Sequence, residues 1–256
     1  MNSSKKIMAL LYNFSNAIVP TNPHSRSRNR SHQQHSIIFV WTEFVKATNM
    51  HTVITPERIE LPPGTVVRML GSWQDYQLLS QQLEDRASPR LKYRPGEILL
   101  MAPLPDHGRD ASLLADIAKV LLDHLEQRYD SFTPITMSLP LISGIEPDYC
   151  FYIENWRSAI GKSRIDWLNE PPPDLVIEVD VTSYTNINDY FVYKVPEIWL
   201  LKNKQLLVYR LQDENYAITE SSYFPNVSEI VQQCLQIAKE QTTSEAIRWL
   251  RSFLQG

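Results

Sequence analysis

"LVIEVDVTSY" (175–184) follows three prolines and Asp174, and sets two carboxylates, Glu178 and Asp180, inside a run of apolar and β-branched residues. A short run of that kind bounded by prolines reads as a β-strand. Side chains alternate along a strand, so Leu175, Ile177, Val179 and Val181 share one face, and Val176, Glu178 and Asp180 share the other. The acids are then same-face neighbours about 6–7 Å apart. Two like charges at that spacing repel by roughly 2.5 kcal/mol at an effective dielectric near 20, and desolvation adds to the cost. Solvent, a basic partner or a metal ion must offset it. The wet face of an antiparallel sheet would meet the first condition.

Outward from this strand the pattern is α/β. Upstream, Ser72 can cap a helix carrying Tyr76, Leu78, Leu79 and Leu83 on one side. "RLKYRPGEILLMAP" (90–103) reads as strand, Pro-Gly turn, strand. Residues 110–129 give the clearest helical stripe, Leu113, Leu114, Ile117, Val120, Leu121 and Leu125, with Asp110 in N-cap position. Strands are expected at 132–141, 146–153, 174–183, 195–202 and 205–211, the last two joined by a short Asn-containing turn. Two helices close the chain, "VSEIVQQCLQIAKE" and "TSEAIRWLRSFL", the second capped by Thr243 or Ser244. The expected fold class is α/β or α+β, a mixed central sheet flanked by helices.

Composition narrows the chemistry. At 43% hydrophobic and 21% charged, the 256 residues suit an ordinary globular protein. No apolar run is long enough for a membrane span. Seven glycines are too few and too scattered to write GxGxxG, a P-loop or GxSxG, which excludes the dinucleotide, P-loop and elbow-nucleophile readings. Cys150 and Cys234 form neither a disulfide framework nor a zinc spacing, in keeping with a cytoplasmic protein.

Charge is split along the chain. Residues 1–50 hold six Lys and Arg against Glu43, or +6 − 1 = +5, which leaves −4 − 5 = −9 for the remainder. Such a body is not a general nucleic-acid binder. It remains compatible with a nuclease, whose active site is acidic and needs a cation. Residues 1–50, with the acid-free stretch "TNPHSRSRNRSHQQH" (21–35), read as a basic, disordered extension. One domain is expected over 51–256, with its core at about 90–212 and C-terminal helices at about 226–254.

A third acid joins the pair. Asp148 opens the "EPDYCFYI" strand, on the face of Cys150 and Tyr152, and meets Glu178 if the two strands are neighbours. Oxygen-only ligands of this type suit Mg2+ or Mn2+ rather than zinc. Such an ion can activate water for phosphodiester hydrolysis.

Pro147-Asp148 followed by Glu178-Val179-Asp180 resembles the PD-(D/E)xK nuclease signature. "PGEILLMAPLPDHG" (95–108), "EPDYCFYI", "PPPDLVIEVDVTS" (171–183) and "YKVPEIWLLKNKQLLVYRL" (193–211) together resemble the Uma family of restriction-endonuclease-like proteins, over roughly 58–250. The resemblance implies a restriction-endonuclease-like core and a Mg2+- or Mn2+-dependent DNA endonuclease. Asp148 and Glu178 would be metal ligands, with Asp180 a further ligand or a base beside them. Glu97 matches an upstream acid and His107 a recurrent histidine. DNA is the implied partner, and a homodimer is possible. One departure stands out: the third signature position is normally Lys and here is Asp180, which cannot stabilise developing negative charge as an amine does. Lys194, Lys162 and Lys202 are the candidates to supply one. A nuclease-fold protein that binds nucleic acid or protein without cutting is the competing reading. A two-carboxylate glycosidase fits poorly, because its acids should face each other across a cleft.

Overall fold

The computed structural model describes residues 61–83, 88–180 and 185–256. The expected N-terminal extension, residues 1–50, lies outside them. The chain divides between Ala102 and Pro103 into two compact units.

In the first unit, strands β1 (Val66–Gly71), β2 (Arg90–Arg94) and β3 (Gly96–Met101) run antiparallel with β3 central, and helix α1 spans Trp73–Leu83. Ser72 caps α1 as expected: its Oγ accepts from Asp75 N, while the Asp75 carboxylate accepts from Ser72 N at 2.9 Å. Trp73, Tyr76, Leu79 and Leu83 bury one helix face with Tyr93 and Ile98. Pro95-Gly96 makes the β2–β3 turn, with Gly96 at φ 86, a value that a Gly after Pro reaches without a Cβ clash.

The second unit is built on a six-stranded sheet in the order β11-β10-β9-β8-β7-β4. Its strands are β4 (Asp130–Phe132), β7 (Tyr149–Tyr152), β8 (Leu175–Asp180), β9 (Glu197–Lys202), β10 (Gln205–Gln212) and β11 (Asn215–Ile218). Of these strand pairs, β8 with β9 is parallel and the others are antiparallel, so the sheet is mixed, as the sequence led one to expect. Strands β5 (Met137–Leu139) and β6 (Ser143–Ile145) form an antiparallel hairpin. Helix α2 (Pro105–His124) packs on β8; α3 (Trp156–Ala159) is a single turn; α4 (Val227–Glu240) packs on β10; α5 (Thr243–Leu254) lies against α2 and α4.

β8 is buried on both faces, which explains its near-continuous apolar character. Leu175, Ile177 and Val179 join the larger core with Leu113, Leu114 and Ile117 of α2 and Trp199 of β9. Val176, on the opposite face, joins Cys150, Tyr190, Tyr193 and Ile198. The wet-face alternative for Glu178 and Asp180 therefore fails: they are 9% and 5% exposed.

Three local expectations are corrected. α2 starts at Pro105 rather than 110, because proline's fixed φ and missing N–H suit the first helical position; Asp110 is a buried interior residue of that helix, not its cap. The expected strand 132–141 is two strands, since Pro134 offers no ladder donor. The α5 cap is Thr242, whose Oγ1 accepts from Glu245 N at 3.1 Å.

Both cysteines are free and buried, and burial pushes each thiol up to about 12. Neither is a reactive thiolate near neutral pH. Iodoacetamide at pH 8 should leave the native protein unlabelled and label both positions once urea unfolds it, as read by intact-mass spectrometry.

Candidate functional site

Because β8 and β9 are parallel, and β7 runs antiparallel to β8, the C-terminal ends of β8 and β9 and the start of β7 lie at one end of the sheet. Asp148 immediately precedes β7. Extending the Tyr149↔Ile177 register by one residue sets it opposite Glu178. Asp148 is 1% exposed. Its Oδ1 accepts from His107 Nε2 at 2.7 Å, and its Oδ2 accepts from Val179 N at 2.8 Å. The Thr133 hydroxyl donates to the Asp148 main-chain carbonyl at 2.8 Å. His107 itself is buried in the first turn of α2, so helix, β7 and β8 together fix this carboxylate.

Glu178 accepts a hydrogen bond from the Tyr190 hydroxyl. Tyr190 sits on a 3-10 segment, Ile187–Tyr193, in the connector before β9. Burial, reinforced by the Glu178 carboxylate, pushes the Tyr190 phenol well above its usual range. It stays protonated and acts as a donor, holding Glu178 in one orientation. Asp180 lies in register with Lys202 on the parallel neighbour β9, and the Lys202 ammonium sits 3.2 Å from Asp180 Oδ2. Beyond the next residue, Lys204 pairs with buried Asp110, one helical turn after His107.

These interactions link into a ring around this end of the sheet: Asp148 to His107 and to β8, Asp180 to Lys202, Lys204 to Asp110, and Asp110 along α2 back to His107. Of the expected site residues, Asp148, Glu178, Asp180 and His107 all belong to this ring or its β8 segment. Glu97 belongs to the first unit, where Arg68 at 2.9 Å and Arg94 at 3.6 Å hold its carboxylate. Of the three candidate amines, Lys162 pairs with Glu170 and the Lys194 ammonium stands 3.7 Å from the centre of the Phe191 ring. Lys202 is the one set against a β8 acid, Asp180.

Tyr190 and Lys204 were not singled out from the sequence. "INDYFVY" carries no periodicity that marks a site, and Lys204 reaches Asp110 across 94 residues.

Carboxylate oxygens suit Mg2+ or Mn2+, and Mg2+ commonly takes one or two carboxylates and fills its other positions with water and substrate phosphate. Asp148, just before β7, and Glu178, opposite it on β8, have the donor chemistry for such an ion. Asp180 is engaged with Lys202 instead. Among the described residues, no group of three or more His, Cys, Asp or Glu is gathered to hold a metal ion.

The model of the Uma2 family, described as "Putative restriction endonuclease", matches residues 73–238, more than half of the chain. The chain belongs to this family. The Uma2 match spans α1 to α4 and includes Asp148, Glu178, Asp180, Glu97, His107, Tyr190, Lys202 and Lys204. No curated protein matches the chain. A solved structure similar to it is titled a "putative nuclease", from Anabaena variabilis, at 13% identity and a TM-score of 0.44, covering 70% of this chain and 99% of that one. No helix among the described residues is long and apolar enough to cross a membrane.

Proposed function

We propose that this Uma2-family protein is a divalent-cation-dependent DNA endonuclease of the PD-(D/E)xK type, hydrolysing phosphodiester bonds at the Asp148–Glu178 end of the second unit's sheet. The observation that carries the reading is the placement of these two buried carboxylates, one just before β7 and the other in its neighbour β8, each held by its own hydrogen-bond donor. Buried acids at the strand ends of a sheet are costly unless they are partnered and used.

Asp148 and Glu178 would hold Mg2+ or Mn2+, which would supply charge stabilisation and a more acidic water. The remaining work falls to the chain's own groups. His107 and Val179 N–H each take one oxygen of Asp148 and so fix the plane of its carboxylate. Tyr190 fixes Glu178. Removing an orienting partner of this sort typically changes metal affinity or activity by about 10–100-fold. Lys202, beside Asp180, would supply the ammonium that position 180 lacks, to stabilise negative charge developing on the phosphate.

A supercoiled plasmid tests the proposal. Nicking should appear with Mg2+ or Mn2+ and stop with EDTA. The competing reading, a nuclease-fold protein that binds without cutting, is favoured by one observation: Asp148, Glu178 and Asp180 each already engage a protein group. Intact plasmid across both metals, from protein that retains a cooperative thermal transition, would replace the endonuclease proposal with that one.

A further inference from the structure

We infer that the β9–β10 hairpin tip, Lys202-Asn203-Lys204, is the element that grips the phosphate backbone of the nucleic-acid substrate. This deepens the endonuclease proposal and rests on it.

The first argument is charge. Residues 51–256 carry −9, and the buried carboxylates of the candidate site are part of that total, so an incoming polyanion meets a repulsive field. Local cations must offset it. At this end of the sheet the hairpin supplies two of them within three residues. Lys202 faces Asp180 and Lys204 faces Asp110, and their side chains remain 36% and 56% exposed. Each ammonium is therefore tethered on one side by a buried carboxylate and open on the other. A lysine carries three donors, and one carboxylate leaves it capable of a further anionic acceptor.

The second argument is backbone geometry. β9 and β10 close with Lys202 paired to Gln205, leaving a two-residue turn. Asn203 and Lys204 both adopt left-handed φ, 51 and 61. Turns of this type favour Asn followed by Gly, because glycine has no Cβ to clash. Asn occupies the first position, but lysine occupies the second, where it is sterically disfavoured. A disfavoured conformer kept at a turn beside a candidate site points to use of the side chain rather than to turn stability. The left-handed turn sends Lys204 back across to α2, so the two ammonium groups flank the sheet end from β9 and from the turn.

The test is DNA binding across a salt series, read by fluorescence anisotropy of a short labelled duplex in EDTA, where cutting is absent. Removing one lysine–phosphate interaction lowers the slope of log affinity against log salt by about 1. Lys202→Gln with Lys204→Gln should lower the slope by about 2 and weaken binding, while Lys202→Arg with Lys204→Arg should keep it. Neutralising both lysines takes the lysine partner from each of the buried Asp180 and Asp110 carboxylates, so Asp110→Asn with Lys204→Gln serves as the fold-safe variant, with an expected slope change of about 1. An unchanged slope in folded variants of a wild type that nicks plasmid overturns the inference and leaves the endonuclease reading standing. A wild type that neither binds nor nicks DNA overturns both.

Discussion

Glu178→Gln should lower metal-dependent plasmid nicking by on the order of 100-fold or more while leaving the fold intact. Glutamine has the shape of glutamate and keeps a carbonyl oxygen to accept from Tyr190, whose raised pKa makes it a donor throughout the neutral range. What it removes is the charge, and with it the attraction for a divalent ion. Glu178→Ala is the harsher comparison. It strands the buried Tyr190 hydroxyl, at a cost of about 1–3 kcal/mol, and so mixes a stability defect with the chemical one. Nicking rates and thermal melts on both variants separate the two effects. A glutamine variant that nicks at the wild-type rate would take Glu178 out of the reaction.

The largest stability effect is expected away from the site, at Glu197. This carboxylate is fully buried at the start of β9. It accepts from Trp199 Nε1 at 2.8 Å, from Ser221 Oγ, and from both the N–H and the hydroxyl of Ser222, at 2.8 and 2.6 Å. One acid thus ties β9 to the segment that leads into α4. Glu197→Ala leaves these donors buried without their acceptor and opens a void beside Trp199, which packs edge-on against Phe224. The expected destabilisation is about 3–5 kcal/mol. In urea the midpoint should fall with little change in slope. Glu197→Gln, which keeps one carbonyl acceptor, should fall between the alanine variant and the wild type. A midpoint unchanged by Glu197→Ala would mean that the serines and Trp199 find other partners.

The two acidic hubs, Glu197 and Glu178, look alike in sequence: each is a glutamate in an apolar strand. Their partners divide them. Glu197 meets hydroxyls and N–H groups that enclose it, whereas Glu178 and its neighbours meet a phenol, an imidazole and half-exposed lysines at a strand end. Nothing in local spacing distinguishes these environments. The sequence alone singled out 178 because a second acid shares its face and because the surrounding motifs resemble a known family.

The amino-acid sequence by itself determined the main strands and helices of the core and the faces of β8, but not the strands β1, β6 and β11. Alternation made 175–180 a strand with Glu178 and Asp180 on one side, the helical stripe from Leu113 marked α2, and the Pro-Gly pair marked the β2–β3 turn, all because these patterns express the local periods of strand, helix and turn. The start of α2 at Pro105 was also written there, in the proline itself. Tertiary structure decided what each carboxylate touches. His107 meets Asp148 across 41 residues, Tyr190 reaches Glu178 from a 3-10 segment, and Lys202 answers Asp180 only because β8 and β9 pair in parallel in that register. Such pairings depend on strand order, register and packing between distant segments, which no local period encodes.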